Sequence, residues 1–155
     1  MRARRKFYFA YGSNMSSRRV IDREVEFSSS RRAILLGYSL SFTKPTKTGS
    51  AAADIQEEPG SMVEGVVFEM TEEGLKKLDV FEGVAKNQYA RVNVRVYVSD
   101  LGRYVRAVAY KAIPYQAGIK PTIVYMSFII KGAREHGLSP EYIEKLEAVE
   151  CQETK

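Results

Sequence analysis

Tryptophan is absent from the chain, and histidine and cysteine occur once each. A lone Cys151 excludes an internal disulfide and a thiolate metal cluster. A lone His136 excludes any mechanism that needs two imidazoles, and its place before Gly137 at an expected helix end suits a structural role. Carboxylates, histidine and cysteine nowhere take metal-ligand spacing, and no glycine-rich phosphate loop, zinc-finger spacing or heptad repeat occurs. No apolar run approaches the ~18 residues of a membrane span. Phe7 to Tyr11 is too short for a signal-peptide core, so the expected compartment is the cytoplasm. No metal or cofactor is expected.

What remains is ordinary globular material. At 155 residues, with 45% apolar and 28% charged side chains, the chain is one domain's worth of sequence and is neither disordered nor fibrous. The net charge of +5 raises the question of nucleic acid. Arg2, Arg4, Arg5 and Lys6 account for four of 24 basic residues, leaving 20 against 19 acidic ones, so the body is nearly neutral. The expected organisation is a basic arm at 1–6, a single domain at 7–150 and a tail at 151–155.

Phe7 to Tyr11 reads as a buried strand entering a turn at Gly12-Ser13-Asn14. Ser16 to Glu24 is polar, either a short helix or irregular. Ala33 to Thr43 is strand-like with a bulge expected at Gly37, and Lys44 to Ser50 has loop composition. Ala51 to Ile55 and Met62 to Met70 read as two strands separated by a turn at Glu57-Glu-Pro-Gly60. Thr71 caps a helix reaching about Phe81, with Glu72 and Glu73 in its first turn. Gln88 to Val98 and Arg103 to Ala112 alternate around Asp100-Leu-Gly102 as a hairpin. Pro121 is expected as the first residue of a long helix that stops at Gly137, and Ser139-Pro140 opens a final one. Strands first and helices last favour an α+β fold, its mixed or antiparallel sheet curling into a small β-barrel with helices packed outside.

Two features carry chemistry. Tyr11-Gly12-Ser13-Asn14 follows a strand, and although its residues are all turn formers, they also suit a nest of backbone N–H groups open to an anion. Glu82, in Asp79-Val-Phe-Glu-Gly-Val84, sits at an expected helix end between apolar neighbours. It reads either as a surface glutamate or as a carboxylate whose pKa desolvation raises toward neutrality, fit for acid–base work.

Together these segments resemble the γ-glutamylcyclotransferase family. The family's strand-loop motif is present as Phe9-Ala-Tyr-Gly-Ser-Asn14, and its glutamate context as Leu78-Asp-Val-Phe-Glu-Gly-Val84. Val63-Glu-Gly-Val-Val67 with Pro59-Gly60 fits the strand before that helix, and Lys131 to Tyr142 with Lys145-Leu146 resembles the closing helices. Arg19 to Ala33 shows no clear match, and Lys44 to Ser50 aligns loosely. The resemblance implies that Glu82 is catalytic and that Tyr11, Gly12, Ser13, Asn14, Tyr89 and Tyr125 bind substrate. It further implies release of 5-oxoproline from a γ-glutamyl amide by attack of the substrate's own amine, without a cofactor. The implied partner is a small γ-glutamyl compound, with no membrane or nucleic acid, and a homodimer is left open. Two rival readings are a non-catalytic binder of small anionic amides on the same fold and a nucleic-acid-associated protein using the arm.

Overall fold

The computed structural model describes residues 4–153; positions 1–3 of the basic arm and 154–155 of the tail lie outside the described residues. Five strands close into a barrel: β1 (Arg5–Ala10), β2 (Ser29–Pro45), β3 (Ala51–Thr71), β4 (Tyr89–Val98) and β5 (Arg103–Ala112), in the order β1-β3-β2-β4-β5. All neighbours run antiparallel except β1 and β5, which meet in parallel at Tyr8 and Val108. The expected mixed α+β barrel is the fold. Arg5 and Lys6, assigned to the arm by composition, pair with Thr71 and Met70 as the first residues of β1.

Period-two alternation sends Phe9, Ile55, Val63, Val67, Val96 and Ala109 into the barrel, where they form one apolar cluster. Their neighbours Tyr8, Val66, Phe68, Met70 and Tyr110 face outward, beneath the helices. Helices α2 (Glu72–Phe81), α3 (Ile123–Glu135) and α4 (Pro140–Glu147) cover that surface with Leu75 and Leu78, Met126 and Ile129, and Tyr142 and Leu146. Each helix begins at a side-chain cap, Thr71, Thr122 and Ser139 respectively, that accepts an N–H of the first turn.

The structure corrects the sequence reading in three further places. Ala51 to Met70 forms not two strands but one, and Glu57 to Gly60 is no turn. Leu36 pairs with Met62 and Tyr38 with Glu57, so residues 58–61 are a wide bulge opposite Gly37, whose φ of +82° supplies the expected kink. β2 also runs on to Pro45, carrying Lys44 into the ladder opposite Ala52. Pro121 precedes the cap rather than opening the helix; Thr122 is the cap, and the Pro121 carbonyl accepts from the Gln152 N–H. The tail therefore docks on the start of α3 as far as Gln152.

Two polar clusters, one buried and one half-buried, fix helices to the barrel. Glu64 on β3 accepts from the N–H and hydroxyl of Ser139 (2.9 and 2.5 Å), pinning α4 by its cap. Arg91 on β4 grips α2 with its guanidinium fork, reaching Asp79 at 2.8 Å twice and Glu72 at 2.8 and 3.0 Å. The Tyr110 hydroxyl adds a 2.6 Å bond to Asp79. These contacts set the end of α2, and with it Glu82, against the barrel.

Candidate active site

Tyr8 to Ala10 is buried strand, and the chain leaves it at Tyr11 to form a short 3₁₀ turn, Ser13–Met15. The six-residue helix α1 (Ser17–Asp22) follows, capped by Ser16. This turn lies directly under α3. A side chain at Gly132 would place its Cβ 2.5 Å from the backbone of Met15 and Ser16, so only glycine allows the contact. From the other side, α2 ends at Glu82, and Gly83 turns the chain away with φ of +66°, a conformation L side chains rarely adopt.

Between the two termini lies a cavity of about 130 Å³. All seven residues named from the sequence line it: Tyr11, Gly12, Ser13, Asn14, Glu82, Tyr89 and Tyr125. Asn14 and Glu82, 68 positions apart, are joined by a 3.0 Å bond from the Asn14 amide to the carboxylate. Asn14 is itself buried, and its other bonds are to Tyr8 and Arg23: Nδ2 also donates to the Tyr8 hydroxyl at 3.0 Å, and Oδ1 accepts from Arg23 at 2.7 Å. The sequence reading gave this asparagine a backbone role; its side chain is the hub of the site. The N–H groups of Gly12, Ser13 and Asn14 have no partner among the described residues, as a nest requires.

The three tyrosines divide by what their hydroxyls do. Tyr11 donates to the Tyr110 carbonyl and Tyr89 to the Ala53 carbonyl, the latter at 2.7 Å, so both protons are spent on the barrel wall. Tyr125 instead accepts the Ala53 N–H at 2.9 Å, which leaves its proton free for a ligand. Burial pushes Tyr125 up to about 12, so it is a hydrogen-bond donor at neutral pH. Burial, reinforced by the Glu82 charge, likewise raises Tyr8 and keeps it protonated.

Glu82 is 18% exposed. Burial raises its carboxyl above the ordinary range, while Arg23, the Asn14 bond, Arg19 and Lys44 pull the other way. The nearest cation, Arg23, stands 3.8 Å from Oε1, too far for a tight ion pair. The carboxyl is therefore raised by burial and only partly restored by these neighbours.

Several residues at or beside this site were not singled out from the sequence, among them Arg19, Arg23, Tyr8 and Lys44. Arg19 from α1 and Arg23 from its C-terminal cap both line the cavity, inside the segment with no clear family match. Arg23 lies 4.9 Å over the Phe81 ring and Arg19 4.6 Å over Phe128. Arg19 Nε donates to the Ser13 hydroxyl at 3.1 Å, and its terminal nitrogens have no protein partner among the described residues. Tyr8 and the buried Lys44, which donates to Gln88 at 2.6 Å, complete the set. The available signal was spacing: a capping Ser16 with arginines four apart puts both on one helix face. Among the described residues no group of three or more His, Cys, Asp or Glu has an arrangement that would hold a metal ion. No helix there is long and apolar enough to cross a membrane.

Comparison with known proteins gives one consistent answer. Residues 62–146 match the AIG2-like family. The γ-glutamylcyclotransferase of Bos taurus is 33% identical over 153 residues, covering 96% of this chain and 80% of that protein. The Homo sapiens γ-glutamylcyclotransferase is 35% identical, over 92% and 78%. A solved γ-glutamyl cyclotransferase superposes with a TM-score of 0.86 at 32% identity, covering 96% of this chain and 90% of the other. With identity of this order across nearly the whole barrel and its helices, the chain belongs to the γ-glutamylcyclotransferase family and is an enzyme of that family.

Proposed function

We propose that the protein releases 5-oxoproline from γ-glutamyl amides by intramolecular aminolysis, with Glu82 as the sole general acid–base. The substrate's α-amine attacks its own γ-carbonyl, forming the ring C–N bond. Glu82 takes the proton that the amine gives up. The tetrahedral intermediate then breaks its original amide C–N bond, and the same proton passes to the departing amine. Atoms balance without water, metal or redox partner.

One observation carries this reading: a largely buried carboxylate, raised by desolvation, faces a small anion-receptive loop across a single cavity. The nucleophile travels with the substrate, so the site needs positioning and one proton shuttle, not a serine or cysteine. Positioning draws on effective molarities that reach ~10⁵–10⁸ M in ideal intramolecular reactions. The proton shuttle adds typically ~10²–10⁴-fold. Gly12, Ser13 and Asn14 offer N–H groups, and Tyr8 and Tyr125 hydroxyl protons, to the substrate's negative oxygens. The cavity is smaller than the ~300–1,000 Å³ of drug-sized sites, which supports enclosure of the γ-glutamyl end with the leaving group projecting outward.

The test is a panel of γ-glutamyl compounds assayed for 5-oxoproline, with parent protein and Glu82→Gln. Release by the parent, and a fall of roughly two to four orders of magnitude in kcat for the variant, is the expected result. Binding without turnover would establish the non-catalytic reading in its place.

A further inference from the structure

The cavity lining holds two guanidinium groups, Arg19 and Arg23, against one carboxylate, Glu82. Arg23 directs one nitrogen, Nη1, into the protein: Asn14 accepts from it at 2.7 Å, and Glu82 stands 3.8 Å from the same nitrogen. Arg19 is held but not satisfied. Its Nε is fixed by the Ser13 hydroxyl and its plane by Phe128, while both terminal nitrogens are open. A guanidinium fork locked in place with its outer edge free matches a carboxylate in two-point geometry. It also leaves the half-buried site one positive charge in excess, which a bound anion would offset.

Resting on the function proposed above, we infer that Arg19 anchors the α-carboxylate of the γ-glutamyl unit, which assigns the Gly12–Asn14 N–H groups to the γ-carbonyl oxygen. The placement decides between the two acidic ends a substrate can have. Arg19 bonds to Ser13, and Glu82 bonds to Asn14, so cation and base flank adjacent residues of one turn. The α-amine and α-carboxylate sit on one carbon, and that carbon spans such a gap: ammonium toward Glu82, carboxylate toward Arg19. The zwitterionic head thus meets a complementary pair of charges. The γ-carbonyl extends from the same carbon along the remaining wall, where the loop N–H groups and the Tyr125 hydroxyl are free. A carboxylate on the leaving amine would lie beyond this enclosed end.

The assignment is tested by deleting the charge from either side. The substrates are a γ-glutamyl alkylamide, its decarboxylated counterpart (an N-alkyl 4-aminobutanamide, which cyclises to 2-pyrrolidinone) and a γ-glutamyl amino acid. For Arg19→Gln, kcat/KM on both γ-glutamyl substrates should fall roughly 30- to 1,000-fold, mostly through KM, while the decarboxylated amide changes less than about threefold. Arg19→Lys, which keeps the charge but loses the fork, should recover part of the loss. Competitive inhibition by 5-oxoproline against 2-pyrrolidinone reads the same difference without turnover of the poor substrate. An equal loss on all three substrates, or loss of the parent's thermal transition, would make Arg19 a structural residue and overturn the assignment. Loss confined to the γ-glutamyl amino acid would move the anchor to the leaving group and overturn it too. Absence of 5-oxoproline from the parent itself overturns the functional reading and this one with it.

Discussion

At the scale of single residues, the structure holds Glu82 between two pressures. Burial raises its carboxyl, and Arg23, Asn14, Arg19 and Lys44 hold it down. The acid limb of kcat/KM should therefore lie above the ordinary glutamate range near ~4.3, because the base must be ionised to act. Arg23→Gln removes the largest of the lowering charges and should move that limb to higher pH, measurable in a rate profile across pH 4–8. An unmoved limb would mean that another group titrates. The same pressure has a stability sign. A carboxyl whose folded-state pKa is raised lets the native state hold its proton where the unfolded chain has released it. Stability then falls as pH rises from the unfolded value to the folded one, and levels off above it. Glu82→Gln lacks this loss, so its Tm relative to the parent should be higher at pH 8 than at pH 4. Much of this was legible in the residues: a glutamate between apolar neighbours and a Gly-Ser-Asn turn are local signals. The arginines were not, because a guanidinium on a short polar helix looks the same in sequence whether it faces solvent or a cavity. Nor does a turn-forming asparagine reveal that its side chain, not its backbone, joins Glu82, Tyr8 and Arg23.

At the scale of elements, the site is a junction of termini: the exit of β1, the start of α1, the end of α2 and the flank of α3. Capping residues, the Asp-Leu-Gly hairpin and apolar periodicity made most of these elements readable. The β2–β3 hairpin was less so, because Glu-Glu-Pro-Gly has turn composition wherever it occurs; only pairing across to Leu36 and Tyr38 turns it into a bulge. Pro121 misled for a related reason: Pro121 and Thr122 both suit a helix start, and the hydroxyl won the cap. No local pattern betrays Gly132, which sits within a regular helix and would read as a weak helix former. Its lack of a side chain lets α3 rest on the backbone of the turn after β1, with 2.5 Å left for a Cβ. Gly132→Ala gains helix propensity yet should lose roughly 1–3 kcal/mol through overpacking, lowering Tm by roughly 2–12 °C at this chain length. Because the displaced atoms belong to Met15 and Ser16, activity should drop as well, at temperatures where the variant remains folded. A variant as stable and active as the parent would show that the loop does not depend on this contact.

At the scale of the whole molecule, the barrel contributes rigidity and the helices complete the cavity, so occupancy of that cavity should be readable in global stability. A ligand that binds only the folded state stabilises it by RT ln(1 + [L]/Kd), about 2.7 kcal/mol at a hundredfold excess over Kd. For a domain of this length that is roughly 5–11 °C in Tm. The parent cannot report this cleanly for a substrate it consumes, whereas Glu82→Gln should bind and hold it. A γ-glutamyl amide should therefore raise the Tm of Glu82→Gln, and should do so less when that variant also carries Arg19→Gln. The readout is independent of catalysis, and it separates the two roles that the cavity combines. Stabilisation of Glu82→Gln together with lost turnover places Glu82 in the chemistry and not in binding. If instead the variant gains nothing from a ligand that protects the parent, the carboxylate is a binding group for the substrate ammonium first, and the proton shuttle must be sought among the other groups that line the cavity, beginning with Tyr8 and Tyr125.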